Sequence, residues 1–131
     1  MFAADTNVIV RVLVGDDPRQ QKAALARLRK IRADGGSVVV SAVVLAETAW
    51  VLSSAYAYNR SQIAEALRGV LNTPPFFVPQ RGEALAALES YAKGSADFAD
   101  YLIWSLAQAE GSTTLLTFDR RLLQHPGCEA P

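Results

Sequence analysis

Apolar and polar positions along the chain switch between the period of a strand and the period of a helix. Residues 2–4, Phe-Ala-Ala, form a short apolar run that stops on Asp5 and predicts a first buried strand. Val8, Ile9, Val12 and Leu13 then repeat at helical spacing, with Thr6 or Asn7 as the expected cap and Gly15-Asp16 as the stop. Asp17-Pro18 opens a second helix to about residue 34, with Leu25, Leu28 and Ile31 as its stripe. Gly35-Gly36 end it, and the β-branched run 37–40 predicts a second strand leading into an apolar helix over 42–56. A further helix is expected over 61–72, broken by Thr73-Pro74-Pro75, and a short third strand over 76–78. Helices over 80–93 and 96–110 follow, the second capped by Ser95; a fourth strand is expected over 113–117, and the tail 125–131 is a candidate fifth edge strand.

Strands alternating with helices imply an α/β fold, with crossovers and a central parallel sheet of four to five strands covered on both faces. At 131 residues and 50% hydrophobic content the chain suits a single domain over 1–131 with a sizeable core. Thirteen basic and thirteen acidic residues cancel, so any nucleic-acid contact has to be local. The single cysteine, Cys128, has no intramolecular partner and fits a reducing compartment. No apolar run approaches the roughly 20 residues of a membrane span, so a soluble, cytoplasmic protein without a membrane partner is expected.

The candidate chemistry lies in the carboxylates. Asp5 closes the first strand and Asp119 closes the fourth, where open α/β sheets place their ligand crevice. Asp119 has a competing use as cap of the turn at 120–124, and both uses are compatible. Glu47 has Val43, Val44, Trp50 and Val51 at spacings of three and four, which predicts a carboxylate set in an apolar stripe, paired either with an arginine or with a metal. Asp97 and Asp100 both fall near the start of a helix. Asp100 borders Ile103 and Ala107 and is the better cleft residue, whereas Asp97 shares a more polar side with Tyr101, Trp104 and Gln108, and the helix dipole alone accounts for it. Four carboxylates without a histidine or cysteine cluster make a hard oxygen site suited to Mg²⁺ or Mn²⁺, and so to a phosphodiester substrate.

Asp5-Thr6-Asn7, the lone glutamate Glu47, the run 97–103 (Asp-Phe-Ala-Asp-Tyr-Leu-Ile) and Thr117-Phe118-Asp119 occur in the order found in PIN domains. The chain resembles a PIN-domain ribonuclease of the VapC toxin type over nearly its whole length. That resemblance implies a three-layer α/β/α fold, Mg²⁺-dependent endoribonuclease activity, a homodimer, and inhibition by a VapB-type antitoxin. Carried over, Asp5, Glu47, Asp100 and Asp119 match the catalytic, metal-binding quartet, with Asp97 an additional acid close by. Thr6, Asn7 and Thr117 are candidate donors that orient these carboxylates, with helix capping and turn formation as the competing roles.

Arg11, Arg120 and Arg121 are candidate RNA contacts, against plain surface solvation. Tyr56, Tyr58 and Trp104 are candidate stacking residues, against core edge or dimer interface. His125, the only histidine, has no nucleophile in sequence reach and receives no role. One alternative class is a receiver-like signalling module, which needs a lysine after a late strand; Lys22, Lys30 and Lys93 all fall on helices instead. The other is a PIN-like module that binds RNA or a partner without cutting.

Overall fold

The computed structural model describes residues Met1–Pro131, in the order β1 (Phe2–Ala3), α1 (Thr6–Val14), α2 (Pro18–Ala33), β2 (Val38–Val39), α3 (Ala42–Tyr56), α4 (Arg60–Asn72), β3 (Phe76–Phe77), α5 (Arg81–Lys93), α6 (Phe98–Ala109), β4 (Leu115–Leu116) and β5 (Cys128–Glu129). This is the expected mixed α/β fold. Every strand pairing is parallel, and the five strands hydrogen-bond as a three-stranded sheet, β1-β2-β3, and a two-stranded one, β4-β5. By contacts the chain forms two compact units, Met1–Arg81 and Gly82–Pro131. No helix is long and apolar enough to cross a membrane.

In the first unit, Phe2, Val38 and Phe76 lie in register across the sheet, and Ala3, Val39 and Phe77 form the next row. Side chains alternate between faces along a strand, and the first row is the one that meets α2: Leu28, Ile31 and Val38 form a buried cluster against which Ala4, Val12 and Phe76 pack. Arg27 lies over the Phe2 ring at 5.2 Å, with the face of the ring toward the cation. Leu45 and Leu52 of α3 and Leu67 of α4 are fully buried.

The expected boundaries hold where a cap frames the start of an apolar run. Asp17 caps α2 by accepting from the Gln20 N–H at 3.0 Å with Pro18 at the first helical position, and Ser41 caps α3 by accepting from the Val44 N–H at 3.3 Å. Two caps differ. Asp5, not Thr6 or Asn7, caps α1, and α6 starts at Phe98 behind Asp97 rather than at residue 96 behind Ser95. In both cases an aspartate stands within two residues of the expected Ser, Thr or Asn cap, and it takes the cap position.

In the second unit α5 buries Ala84, Ala87, Leu88 and Tyr91, and α6 buries Phe98, Tyr101, Leu102 and Trp104. Tyr91 and Phe98 meet edge to face, with ring centroids 6.0 Å apart. The Ser105 hydroxyl donates to the Glu83 carbonyl at 2.8 Å, fixing α6 against the first turn of α5. Leu115 and Thr117 donate their N–H groups to the carbonyls of Gly127 and Glu129, so the tail does form the fifth strand.

Thr48 of α3 is fully buried, yet its hydroxyl has no hydrogen-bond partner. An unsatisfied buried hydroxyl is destabilising, so Thr48→Val, which keeps the shape and removes the polar atom, is expected to raise unfolding stability by about 1 kcal/mol. Urea denaturation measures this, and a loss of stability would show that the hydroxyl is satisfied in the folded protein.

Candidate active site

Asp5 follows β1 directly. Its Oδ1 accepts the Val8 N–H at 3.1 Å and so starts α1, which leaves Oδ2 without a donor from the chain. The first residue of that helix, Thr6, points its hydroxyl at Glu47 on α3 and donates to Oε1 at 3.1 Å. In the first unit Asp5 and Glu47 stand on either side of Thr6, through the sequence and through that bond. Asn7 is exposed and lines a cavity of about 600 Å³ with Phe2, Asp5, Val8 and Arg27.

Glu47 departs from its expected setting. It is exposed, and so are Val43 and Trp50, at 67% and 70%. The buried face of α3 is Leu45, Thr48, Ala49 and Leu52. Because α3 is apolar on nearly all sides, its periodicity does not select the face that turns inward. The cost of burying a lone carboxylate therefore does not arise.

In the second unit Asp119 is built like Asp5. Its Oδ1 accepts the N–H groups of Arg121 at 2.8 Å and Leu122 at 3.1 Å, holding the backbone that leads into a short 3₁₀ turn at Leu122–Gln124, and its Oδ2 is left over. Thr117 Oγ1 accepts the Asp119 N–H at 3.0 Å and so sets the backbone from which the carboxylate projects. Asp100 Oδ2 accepts the Asp97 N–H at 3.3 Å.

The helix that carries Asp97 and Asp100 turns its aromatic side inward. Tyr101 and Trp104 are buried and Ile103 is 55% exposed, the reverse of the polar and apolar sides read from the sequence. Each aromatic residue brings a large apolar surface with a single polar atom, and the Tyr101 hydroxyl is satisfied by accepting the buried Ala96 N–H at 3.2 Å. Trp104 thus packs in the core and is no stacking platform.

Asp100 is half-buried, and burial pushes its carboxyl above the usual carboxylate range. The charges of Asp119 and Asp97 push the same way, while the hydrogen bond from Asp97 and the positive charge of Arg121 hold it back.

Arg11 is already engaged. It donates from Nε to Gln20 Oε1 at 2.7 Å and from Nη1 to Asp16 Oδ1 and to the Tyr56 hydroxyl, each at 3.2 Å. Tyr56 in turn donates to Asp16 Oδ2 at 2.7 Å, and this bond, with the nearby guanidinium, holds the Asp16 carboxyl below its ordinary range. The group ties α3 to the turn between α1 and α2, so Arg11 and Tyr56 have structural partners. Arg120 and Arg121 are exposed.

The PIN-domain family model matches residues 3–127. The chain is a PIN-domain protein. Comparison with curated proteins and with solved structures gave no match. PIN domains are generally nucleases and typically use divalent metals, and the donors in this PIN domain, all carboxylate oxygens with Asp5 and Asp119 each keeping one oxygen unengaged, suit a hard cation. Within neither unit do three or more Asp, Glu, His or Cys side chains gather at metal-holding spacing. Asp5 and Glu47 are linked through Thr6, and Asp97, Asp100 and Asp119 interact through their charges.

The raised Asp100 carboxyl has a consequence for stability. Its folded pKa exceeds its unfolded one, so its ionisation opposes folding, and stability falls as pH rises from the unfolded value through the folded one. Asp100→Asn is expected to raise the melting temperature at neutral pH in chelator. The gain should vanish in acid below the usual carboxylate range, where wild-type Asp100 is neutral too; thermal melts at the two pH values check it.

Proposed function

We propose that this PIN domain is a metal-dependent endoribonuclease, with Asp5, Glu47, Asp100 and Asp119 as its catalytic acids and Mg²⁺ or Mn²⁺ as its cofactor. The observation that carries the reading is the twin construction of Asp5 and Asp119. Each follows a strand, each spends one oxygen on backbone N–H donors of the segment that follows, and each keeps the other for a ligand. When bound, a divalent ion supplies positive charge against the developing charge on the phosphate and activates a water.

The chain's own residues orient and tune these groups. The Thr6 hydroxyl fixes one oxygen of Glu47, Thr117 sets the backbone at Asp119, and the Asp97 N–H holds Asp100. Asp97 adds negative charge beside Asp100. The positive charge of Arg121 moderates the same carboxylate, which keeps its ionised form accessible for a cation. In the wider reading the protein is a VapC-type toxin, a cytoplasmic homodimer held in check by a VapB-type antitoxin. This extension is supported by the same motif order and by the exposed apolar residues Val43 and Trp50 of α3.

Purified protein incubated with structured RNAs is expected to cut them in Mg²⁺ or Mn²⁺ and to leave them intact in chelator. Asp5→Asn should lower the rate at least about a hundredfold, as removal of a group that positions the ion does. Cleavage by that variant at the wild-type rate, after contaminating nuclease is excluded, would overturn the proposed site. Binding of RNA without any cutting by the wild type would leave a non-catalytic RNA-binding PIN module.

A further inference from the structure

Next to the acidic group of the second unit lies a cavity of opposite character. It has a volume of about 340 Å³ and is lined by Lys93, Ser95, Tyr101, Arg121, Gln124 and His125, with Gly94 at its edge. Two of these side chains are cationic, and the other four carry further donors: two hydroxyls, an amide and an imidazole.

The shape of this cavity is fixed by packing. A Cβ at Gly94 would run into the Tyr101 hydroxyl, so only glycine lets the end of α5 close over that ring. The Tyr101 ring in turn meets His125 edge to face, with centroids 5.3 Å apart. His125 donates its backbone N–H to the Leu122 carbonyl at 2.9 Å, and Ser95 donates to Gln124 Oε1 at 3.5 Å. Gly127 has a φ of 87°, and a Cβ there would come within 2.6 Å of the Trp104 ring. The loop carrying Gln124 and His125 is therefore seated on two buried aromatic residues of α6.

The carboxylates around the cavity do not neutralise it. Lys93 Nζ pairs with Glu89 Oε1 at 3.2 Å, but both side chains are more than 70% exposed, and such a pair exchanges readily for another anion. Arg121 moderates Asp100 on one side and lines the cavity on the other. It makes no ion pair within 4 Å.

We propose that the cavity bounded by Lys93, Ser95, Arg121 and His125 is a phosphate site that takes the backbone of the RNA beside the bond that is cut. The assignment rests on the nuclease reading for the identity of the polymer, and on the cavity alone for the phosphate. Its ligand is a phosphate group with an open face, either an internal diester of single-stranded RNA or a terminal monoester, and the diester is favoured because the cavity adjoins Asp100 and Asp119 through Arg121. A phosphate held there fixes the register of the strand against the acids, so Lys93, Ser95 and His125 act as positioning residues.

His125 is the only histidine, so its ring resonances report on the cavity without ambiguity. At constant pH and ionic strength, in chelator, they should shift saturably with inorganic phosphate and not with chloride. The same shift is expected with a short 2′-O-methyl RNA that carries no terminal phosphate. Lys93→Ala should weaken both responses about tenfold, as loss of one charge-assisted contact does, and Lys93→Arg should restore them. The salt dependence of RNA binding should fall in log–log slope by about 0.7. In cleavage, Lys93→Ala should raise KM and leave kcat near its wild-type value.

Absence of a phosphate-specific shift would overturn the site. A response to inorganic phosphate but none to the capped RNA would overturn the backbone assignment and leave a monoester site. If the His125 responses appear as expected while the wild type cuts no RNA, the phosphate site stands and the nuclease reading falls. Cleavage together with a silent His125 is the reverse.

Discussion

The first unit depends on one charge-assisted hydrogen bond, that from the Val8 N–H to Asp5 Oδ1. A helix begins with backbone donors that its own turns cannot satisfy, and Asp5 satisfies one of them immediately after β1. That fixes the start of α1, which packs on α2 and α3. It also fixes Thr6 at the first helical position, where its hydroxyl reaches Glu47, 41 residues further along the chain. The carboxylate that starts the helix thus brings a donor to a second carboxylate. A monodentate cap also leaves the other oxygen of Asp5 available for a ligand, so structural and chemical use do not compete.

Asp119 repeats this economy in the second unit, with a 3₁₀ turn in place of a helix and Thr117 in place of an upstream strand contact. The difference lies in the charge around it. Desolvation raises the cost of ionising Asp100, and the charges of Asp119 and Asp97 add to it. Arg121 is the one cation that offsets this at Asp100, and its backbone N–H is also a donor to Asp119. One residue therefore holds the turn, moderates the acid and borders the basic cavity. Substituting its side chain would disturb the acid and the cavity together, which makes Lys93 the cleaner probe of the cavity.

Much of this was legible in the sequence, and what was not has definite physical causes. The element order, the parallel pairing and the boundaries of α2 and α3 follow from apolar runs framed by Asp17-Pro18, Ser41 and Gly35-Gly36. The strand-end positions of Asp5 and Asp119 follow from apolar runs that stop on an acid. The inward face of α3 does not, because a helix apolar all round carries no directional signal; Glu47 is open to solvent as a result. The sides of α6 were inverted because Tyr101 and Trp104 count as polar by one atom and as apolar by the rest of their surface. Arg11 reads from the sequence as an RNA contact or a solvated side chain, and only the fold brings Asp16, Gln20 and Tyr56 to it.

His125 shows the limit of motif reading most clearly. With no nucleophile near it in the chain it carries no signal, since its neighbours in space, Lys93 and Tyr101, are 32 and 24 positions away. What places it is the need to pack a glycine-containing loop against Trp104 and Tyr101, an apolar constraint that by itself says nothing of charge. The consequence is nevertheless electrostatic. A rigid loop holds an imidazole beside two cations at the edge of an acidic group, so attraction for a cation and for an anion are set side by side in one unit of the fold. In the proposed nuclease, a phosphodiester substrate with its metal partner would present both charges together, and a surface divided in this way would orient such a pair in one direction only.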